Sequence, residues 1–486
     1  MKQSLNNISL SELLADLGVK APDLQPTDLC LDARQCRAGS VFLALSGGRH
    51  HGLEFVDQAL AGGAIAVLHD DRAVPPQSCP IPVLAMPGLG QQLGLLAQRF
   101  WGLAAGMDLI AVTGTNGKTS VAWLLAQALD GAMFGTLGIG RPGEQRSGTH
   151  TTPDVLSVYR ELARLRADGL DRVVMEASSH ALDQGRLDGL NFTTAIFTGL
   201  GHDHLDYHHD LEAYFEAKAR LFTDYASQRQ IINLDNARGR ELAGRLGSHS
   251  ELLGYSLNGQ AAALARITPV QISVGGLEAV LELPDRRIEL KSGLLGRINL
   301  HNLAIVALEL SARGFEPAEV SARIARLSPV PGRMQAITGA LGQRAVVDYA
   351  HTPDALENVL LSLRELGAER IWCVFGCGGD RDRAKRPRMG RIAESLADRV
   401  ILTDDNPRTE DATAIIREIQ SGMRFPERSR VIRDRAAAIR TALQEAAPGD
   451  LILVAGKGHE TEQLIGDQCL VFSDAQVVRD VLEEAA

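Results

Sequence analysis

The sequence predicts a three-domain α/β protein: a central P-loop-type parallel sheet, a C-terminal Rossmann-like parallel sheet and a smaller α/β N-terminal domain. Three observations support this prediction. The length of 486 residues fits about three domains. Short apolar runs alternate with helical stretches, as in parallel sheets, and this pattern restarts after a connector at 329–333. The predicted domains are residues 1–104, 105–330 and 331–486.

The N-terminal domain is predicted from short helices and apolar runs that end near residues 101–102. Ser9 and Glu12 have the S-x-x-E spacing of a capping box, over a Leu-rich helix expected to close at Gly18. The apolar runs at 41–45 and 64–68 are the candidate strands. We therefore expect the chain to begin with folded structure and not with a signal peptide.

Charge and cysteine content argue against several classes of protein. The net charge is −10 and basic residues are scattered, so no nucleic-acid partner is expected. No apolar run approaches the roughly 18 residues of a membrane span, so no membrane insertion is expected. The cysteines show no C-x-x-C pair and no zinc spacing, which predicts free, buried thiols in a reducing cytoplasm. They are Cys30, Cys36, Cys79, Cys373, Cys377 and Cys469.

The central domain opens on the most informative segment of the chain, a predicted phosphate-binding loop. An apolar strand turns through Gly114 and Gly117 into Lys118 and then a helix. Glycines let the backbone N–H groups at a helix N-terminus approach an anion, and Lys118 adds a positive charge. Thr119 or Ser120 can hold Mg²⁺ there. The spacing G-x-x-G-K-T-S is two residues shorter between the glycines than in ordinary P-loops, so the loop is a variant.

Polar residues at the ends of later strands in this domain suit a metal ion. The predicted strands are residues 172–176, 194–198 and 230–234. Glu176 ends the first strand, and a histidine-rich segment at 201–210 follows the second. A carboxylate and one imidazole beside a triphosphate favour Mg²⁺, which needs few protein ligands, while the histidines leave zinc open as an alternative. On composition alone, Lys218 on the amphipathic helix that follows is predicted to be a surface lysine.

The C-terminal domain repeats the same arrangement of strands that run into polar residues. Its predicted strands are residues 345–349, 371–375, 399–403 and 451–455. Glycine, aspartate, histidine or asparagine stands at most of their carboxyl ends, the edge where open parallel sheets bind ligands. We therefore expect the active site in a cleft between domains, with ATP on one side and a second substrate on the other.

Nine motifs together resemble the Mur ligase family of peptidoglycan synthesis, and they extend over all three predicted domains. They are G-T-N-G-K-T-S at 114–120, T-T-P-D at 151–154, E-A-S-S-H-A-L at 176–182, D-H-L-D-Y-H at 203–208, P-G-R at 331–333, D-Y-A-H-T-P at 348–353, F-G-C-G-G-D-R-D at 375–382, D-N-P-R at 405–408 and G-K-G-H-E at 456–460. The resemblance is closest to members that add meso-2,6-diaminopimelate to UDP-N-acetylmuramoyl-L-alanyl-D-glutamate.

The resemblance implies a role for each matching position. It implies that the ATP phosphates are bound by Gly114, Thr115, Asn116, Gly117, Lys118, Thr119 and Ser120, with Asn302 and Arg333 on the nucleotide side. It implies Mg²⁺ at Glu176 and His204, with Thr119 as the loop ligand, and a carbamylated Lys218 that holds a second Mg²⁺. For the UDP-muramoyl dipeptide it implies Leu31, Ala33, Gly48, Arg49, His50, Thr151, Thr152, Ser178, Gln184 and Arg186. For the amino acid it implies Arg381, Asp405, Asn406, Pro407, Arg408, Gly456 and Glu460.

A few positions depart from the family pattern. Ala33 stands where serine is common, His150 where asparagine often precedes T-T, and Gly199 and Gly201 where N-L-[ST] is typical. The loss of side-chain hydrogen bonds predicts weaker uridine contacts at Ala33 and a more flexible loop before the histidine-rich segment. The phosphate, metal and D-N-P-R positions are unaffected.

The implied chemistry is amide formation through an acyl phosphate. The substrate's carboxylate and the ATP triphosphate repel each other, so Lys118 and Mg²⁺ must neutralise charge. The incoming amine must be neutral, and Asp348 or the departing phosphate is expected to take its proton, with His351 a weaker candidate. The expected partners are small molecules only, and we expect a monomer. Two alternatives are a folylpolyglutamate synthetase, which the N-terminal domain and D-N-P-R disfavour, and a nucleotide-driven switch without amide formation.

Overall fold

The structure is a computed structural model that describes residues 8–48, 50–70, 74–103, 106–146, 148, 150–201, 203–247, 250–340 and 342–484. The chain divides into two compact units, Met1–Leu253 and Gly254–Ala486, and the division falls within one strand. The three predicted domain ranges and the cleft between domains stay predictions. Within the described residues, no helix has both the length and the apolar character needed to cross a bilayer.

The first unit begins with a small parallel sheet and short helices. Its elements are α1 (Leu10–Leu13), β1 (Asp28–Cys30), β2 (Ser40–Ala44), α2 (Val56–Ala61), β3 (Ala66–His69), β4 (Val83–Ala85) and α3 (Leu89–Trp101). The strands lie in the order β1-β2-β3-β4 and are all parallel. The capping box of Ser9 and Glu12 is present, which confirms that prediction. The predicted helix length is wrong, because α1 ends at Leu13 and turns lead on to Gly18.

A second sheet of the first unit positions the phosphate loop. Its elements are β5 (Asp108–Thr113), α4 (Lys118–Ala128), β6 (Ala132–Gly135), β7 (Gly138–Gly140), α5 (Val155–Ala167), β8 (Arg172–Glu176), α6 (Ser179–Asp183), β9 (Phe192–Phe197), α7 (Leu205–His208), α8 (Leu211–Thr223), β10 (Ser227–Asn233) and α9 (Ala237–Arg245). β5 lies between β8 and β9 and is parallel to both. The segments that follow these three strands therefore meet at one edge of the sheet.

The second unit begins with strands that the sequence analysis missed, followed by two helices. The strands are β11 (Glu251–Ser256), which crosses the division and is parallel to its neighbour β12, then β12 (Ala265–Ser273), β13 (Gly276–Glu282) and β14 (Arg287–Ser292). The helices are α10 (Ile298–Ala312) and α11 (Pro317–Ala325). β12, β13 and β14 form an antiparallel meander. Side chains of β14 alternate between exposed and buried along the strand. That period of two is the sequence signal that identifies a strand with one solvent face.

The rest of the second unit is a doubly wound sheet, as predicted. Its elements are β15 (Gln335–Thr338), β16 (Arg344–Asp348), α12 (Pro353–Glu365), β17 (Ile371–Phe375), α13 (Lys385–Leu396), β18 (Arg399–Leu402), α14 (Ala412–Gln420), β19 (Arg430–Val431), α15 (Arg435–Glu445), β20 (Leu451–Ala455), β21 (Glu462–Ile465), β22 (Gln468–Val471) and α16 (Asp474–Glu484). The strand order is β15-β16-β20-β17-β18-β19, and only β15 is antiparallel to its neighbour. Separate apolar clusters on its two faces include Phe375 and Val454.

All six cysteines are free, which confirms that prediction. Cys30, Cys36, Cys373 and Cys377 are buried, and Cys79 is half-buried. The prediction of buried thiols is wrong for Cys469, which is exposed because the hairpin of β21 and β22 leaves most of β22 in solvent.

Candidate active site

The phosphate-binding loop lies between β5 and α4, as predicted. Gly114 and Gly117 have φ angles of 144° and 86°, in the region that favours glycine. A Cβ on Gly114 would collide with the hydroxyl of Thr198, so only glycine fits there. In the described part of the chain, no side chain caps the N-terminus of α4, which carries the positive end of the helix dipole. The loop is therefore suited to an anion.

The segment after β9 holds the loop from its other side. Thr198 Oγ1 donates a 2.5 Å hydrogen bond to the carbonyl of Asn116. The amide of Thr115 donates to the Gly199 carbonyl at 2.9 Å, and the Gly201 amide donates to Thr115 Oγ1 at 2.8 Å. The glycine departures were expected to loosen this loop, but its backbone groups bind the phosphate loop without help from side chains at 199 and 201.

Two lysines converge on a single carbonyl of the loop. Lys118 Nζ donates to the carbonyls of Gly114 at 2.8 Å and Thr115 at 2.9 Å, and Lys218 Nζ donates to that of Gly114 at 2.9 Å. The prediction of a surface lysine is wrong, because α8 packs this face inward and Lys218 is only 1% exposed. Its ammonium also lies over the Tyr214 ring, 4.5 Å from the centroid. Burial, together with nearby Lys118, lowers the pKa of Lys218 well below its usual value.

Glu176 is a buried carboxylate beside the start of α4. Thr119 Oγ1 donates to its Oε2 at 2.9 Å, and the Thr136 amide donates to its Oε1 at 2.7 Å. A Cβ on Gly135 would collide with the carboxylate, so that glycine makes room for it. A hydroxyl and a carboxylate next to a phosphate loop are the hard oxygen donors that Mg²⁺ prefers. These residues fit the predicted metal role.

His204 belongs to a cluster of aromatic rings near the two lysines. Its φ is 54°, and its ring lies 5.1 Å from that of His180 and 6.0 Å from that of Tyr214. Burial lowers the pKa of His204, although the charge of Asp203 opposes this effect. The lower pKa favours the neutral imidazole, which is the form that binds metals. Among the described residues, no three His, Cys, Asp or Glu side chains converge as a metal group, whereas a zinc site needs at least three protein ligands.

The residues predicted to bind the muramoyl dipeptide are linked around Glu176. Thr152 Oγ1 donates to the Glu176 carbonyl at 2.7 Å, and the Ser178 amide donates to Thr152 Oγ1 at 3.4 Å. Arg186 Nη1 donates to the Thr152 carbonyl at 2.6 Å, and Arg186 Nη2 donates to Gln184 Oε1, also at 2.6 Å. Thr151 Oγ1 shares a 3.0 Å hydrogen bond with the hydroxyl of Thr136, which itself contacts Glu176. The departure His150 is exposed next to this group.

The residues predicted to bind uridine follow two neighbouring strands. Leu31 and Ala33 come after β1, and Gly48 and His50 come after β2, whose carboxyl end lies at the same edge because the strands are parallel. Gly48 and His50 are exposed, while Ala33 is buried in the apolar cluster under the sheet. Arg49 lies outside the described residues. The edge of the small sheet thus gathers the predicted positions, and their role stays a prediction.

The predicted amino-acid residues of the second unit form a hydrogen-bonded group after β18 and β20. Asn406 Nδ2 donates to Glu460 Oε2 at 2.9 Å, and the Asn406 amide donates to Asp405 Oδ1 at 2.7 Å. Gly456 has a φ of 117°, and a Cβ there would lie 2.6 Å from Asp405 Oδ2. Lys457, which the sequence analysis did not select, donates to both Asn406 and Glu460. Its place between the glycines of G-K-G gave no sign of this role.

Arg408 presents a guanidinium close to this group. Its φ is 52°, and Nη1 donates to the Gly379 carbonyl at 2.7 Å. A Cβ on Gly379 would collide with the Pro407 carbonyl, so the loop after β17 and D-N-P-R pack together. Arg408 is half-buried, and Arg381 is exposed on the loop after β17. Apart from the Gly379 bond, the Arg408 guanidinium has no protein partner within the described residues, which leaves donors for a ligand carboxylate.

Arg386, which the sequence analysis missed, anchors the loop after β17. Its side chain is 0% exposed, and it donates to Glu410 and Glu418 at 2.8 Å and to the Gly378 carbonyl at 3.1 Å. The hydrogen bond from Arg386 lowers the pKa of Glu410 to about 2. The cation therefore ties α13 to the loop that carries Arg381.

We expect Arg386→Met to destabilise the second unit by about 3 kcal/mol, because the partly buried carboxylate of Glu410 loses its cation and that of Glu418 loses the buried one of its two. Because the pKa of Glu410 falls from 4.5 to about 2, this stabilisation is complete above pH 4.5 and declines as the pH falls towards 2. Urea unfolding at pH 7 measures the difference. Arg383→Met is the control, because Arg383 pairs with Glu418 at the surface with 66% of its side chain exposed, and little change is expected.

Asp348 ends β16 with its carboxylate bound to the backbone. The amides of Met334 and Ala350 donate to its two oxygens at 2.7 and 2.8 Å. Burial raises the pKa of Asp348, and the charge of Arg333 opposes this effect. The Arg333 guanidinium lies over the Tyr349 ring, 4.3 Å from the centroid. These bonds place Asp348 as an anchor of the P-G-R loop, and its predicted role as a proton acceptor stays a prediction.

Two other predicted residues of this unit, Asn302 and His351, form hydrogen bonds within their own segments. Asn302 is buried in α10, and its Nδ2 donates to Asn299 Oδ1 at 2.7 Å. His351 Nδ1 donates to the Tyr349 carbonyl at 2.7 Å, which turns the ring back on its own loop. The nucleotide-side role of Asn302 and Arg333 stays a prediction.

Comparison with known families identifies the family of this chain. A model described as the Mur ligase middle domain matches residues 112–310, and one described as the Mur ligase, glutamate ligase domain, matches residues 332–458. The chain belongs to the Mur ligase family. The two matches contain the phosphate loop, Glu176 and Lys218 in the first and D-N-P-R in the second. The family resemblance predicted from the motifs is thereby confirmed.

Individual Mur ligases resemble this one over nearly their whole length. The chain is 47% identical over 480 residues to the UDP-N-acetylmuramoyl-L-alanyl-D-glutamate–2,6-diaminopimelate ligase of Alkalilimnicola ehrlichii, covering 96% of each. A solved structure with the same ligase name matches with a TM-score of 0.74 and 35% identity, over 99% of both chains. A folylpolyglutamate synthase from Thermotoga maritima has a TM-score of 0.59 at 14% identity, over 76% of this chain and 90% of that one. That likeness shows a shared fold alone.

Proposed function

We propose that this Mur ligase uses ATP to join 2,6-diaminopimelate to the D-glutamyl carboxylate of UDP-N-acetylmuramoyl-L-alanyl-D-glutamate. The 47% identity over 96% of a relative with that name carries the proposal. The arrangement of each unit supports it, since one holds a phosphate loop with two lysines and the other a group with both a cation and a carboxylate. The reaction supplies a cytoplasmic precursor of peptidoglycan.

Phosphoryl transfer from ATP would activate the substrate carboxylate as an acyl phosphate. Lys118 lies at the loop where the phosphates would bind, and its ammonium can offset their charge. Thr119, Glu176 and His204 would hold Mg²⁺, which supplies charge neutralisation when bound. Thr152, Ser178 and Arg186, linked to the strand that ends in Glu176, would orient the muramoyl dipeptide. The amine of the second substrate then displaces phosphate.

Lys218 is placed where a positive charge is unfavourable and a negative charge is useful. Its Nζ is buried beside a second ammonium, and both donate to the carbonyl of Gly114. A neutral lysine amine can add CO₂, forming an N–C bond and losing one proton to give a carbamate. That group would turn the repulsion with Lys118 into an attraction and would offer oxygens to a second Mg²⁺. The buried position of Lys218 supports this modification.

The acceptor would bind at the group that follows β18 and β20. Diaminopimelate has a carboxylate and an ammonium at its far end, whereas lysine has the ammonium alone. Arg408 offers planar donors to that carboxylate, with Arg381 on the neighbouring loop, and Glu460 offers an acceptor to the ammonium. Asp348 or the departing phosphate takes the proton that the attacking amine releases.

The test of this proposal is ADP release with the UDP-muramoyl dipeptide and a panel of diamino acids. We expect turnover only when both the dipeptide and an amine are present, which separates a ligase from a nucleotide switch. With lysine bound, the Arg408 guanidinium would lack its carboxylate, so diaminopimelate is expected to exceed lysine in kcat/KM by about 10³-fold or more. Comparable values for the two amino acids would overturn the assignment of the acceptor.

Arg408→Ala is expected to lose most activity with diaminopimelate. The ratio of kcat/KM for diaminopimelate to that for lysine is expected to fall as a result. The reason is that the variant removes the donors that only diaminopimelate uses, so activity with lysine falls much less. Initial rates with both amino acids measure the ratio. Arg424→Ala serves as the control, since Arg424 packs on Phe425 and is expected to leave the ratio unchanged. An unchanged ratio in Arg408→Ala would exclude Arg408 from carboxylate recognition.

A further inference from the structure

Lys457 is a fully buried lysine in the second unit, next to the residues proposed to bind the amino acid. Its side chain is 0% exposed. Its Nζ donates to Asn406 Oδ1 and to Glu460 Oε2, each at 2.9 Å. A buried ammonium is costly unless its donors are paired. Among the residues that the structure describes, the side-chain partners of this one are Asn406 and Glu460, both expected to receive the amino acid.

Lys457 is one of the groups that determine which way the Asn406 amide faces. An ammonium can only donate, so Asn406 must direct its oxygen towards Lys457. The backbone amide of Leu464 donates to the same oxygen at 3.0 Å. Asn406 Nδ2 is then left to donate to Glu460 Oε2 at 2.9 Å. The amide orientation is therefore fixed by three partners and not by Glu460 alone.

The same lysine fixes one half of the Glu460 carboxylate. Oε2 accepts from both Lys457 and Asn406, whereas Oε1 has no hydrogen-bond partner within the described residues. The Glu460 side chain is 33% exposed, so a ligand can reach it. With Oε2 held by two donors, Oε1 has a defined direction before any ligand arrives. Preorganisation of this kind reduces the ordering cost of binding.

We propose that Lys457 is a positioning residue that sets the affinity for the ammonium group of the amino-acid substrate by holding Glu460 and Asn406 in place. The inference rests on the proposed function, since it takes Glu460 as the carboxylate that accepts a hydrogen bond from that ammonium. Lys457 itself is enclosed and touches no substrate. Replacing a purely structural lysine would change the kinetic constants for all substrates equally. Replacing a positioning lysine would change the KM for the amino acid alone.

The experiment is a double-mutant cycle of Lys457→Met and Glu460→Gln, with steady-state kinetics for all three substrates. We expect Lys457→Met to raise the KM for diaminopimelate about 30-fold, because a buried charge pair is broken. The KM values for ATP and the UDP-muramoyl dipeptide, and kcat, should stay within about threefold. In the Glu460→Gln background, which lacks the paired carboxylate, Lys457→Met should change kcat/KM for diaminopimelate by less than about threefold.

Two controls keep the result interpretable. Lys291→Met changes a lysine with 81% of its side chain exposed and should leave all constants unchanged. If Lys457→Met does not fold, Lys457→Gln keeps a donor without the charge and enters the same cycle. Equal losses in both Glu460 backgrounds, or equal rises in KM for all three substrates, would overturn the positioning role. If the unmodified enzyme uses another amino acid, the proposed function fails, and the cycle run with that amino acid still tests Lys457.

Discussion

Lys118→Met is expected to abolish ligation while the protein stays folded. The ammonium of Lys118 donates to two carbonyls of the phosphate loop and lies at the N-terminus of α4. Removing a cation that stabilises charge in the transition state lowers kcat by about 10³-fold or more. The Gly114 carbonyl still accepts from Lys218, and Thr115 is half-buried, so its carbonyl can bind water instead. The stability should therefore fall by about 1 kcal/mol at most. ADP release and thermal melting measure the two effects.

Lys20→Met is the matched control for this variant, because Lys20 is an exposed lysine of the same unit. It should retain full turnover and an unchanged melting temperature. ATP binding by Lys118→Met, followed by calorimetry, separates loss of chemistry from loss of substrate. Near-normal turnover of Lys118→Met would remove the phosphate-binding interpretation of this loop, because no other part of that interpretation depends so directly on one charge.

The buried parallel strands could be predicted closely from the sequence. The runs at 172–176, 371–375 and 451–455 coincide with β8, β17 and β20. These strands are buried on both faces, so they read as short continuous apolar runs between polar residues. In the meander, β12 and β14 were missed because they are half exposed, and such strands give a weaker signal than an unbroken apolar run.

Candidate site residues could be selected from the sequence where they belong to a motif with a known chemical role. They could not be selected where tertiary packing determines the environment of the side chain. The phosphate loop and Glu176 follow from strand ends and glycine spacing. The burial of Lys218 does not, since a lysine in an amphipathic helix is normally exposed and only the packing of α8 makes it an exception. Lys457 and Arg386 were missed for the same reason. Glu410 and Glu418 lie 24 and 32 residues along the chain from Arg386, and Asn406 lies 51 residues from Lys457.

Lys218→Ala is expected to lose activity by about 10³-fold or more, because under the proposed function this position supplies a carbamate oxygen to Mg²⁺. The protein should not be destabilised by loss of charge, since the ammonium is buried beside Lys118 and both contact the Gly114 carbonyl. ADP release measures the activity. Mass spectrometry of the protein that retains Lys218, kept under CO₂, measures the added carbamate.

A matched pair of variants separates a carbamate from a bare lysine at this position. Lys218→Ala leaves a cavity beside the phosphate loop, whereas Lys218→Met fills it with a chain of similar length. A short carboxylic acid such as acetate or propionate can enter only the first, and its carboxylate can replace the carbamate oxygens. We therefore expect added acid to restore part of the activity of Lys218→Ala and none of that of Lys218→Met. The enzyme that retains Lys218 can also be assayed after CO₂ is removed, so that Lys218 remains an amine. Full activity in that state would contradict the proposed carbamate, because an amine has no oxygen to offer a metal ion.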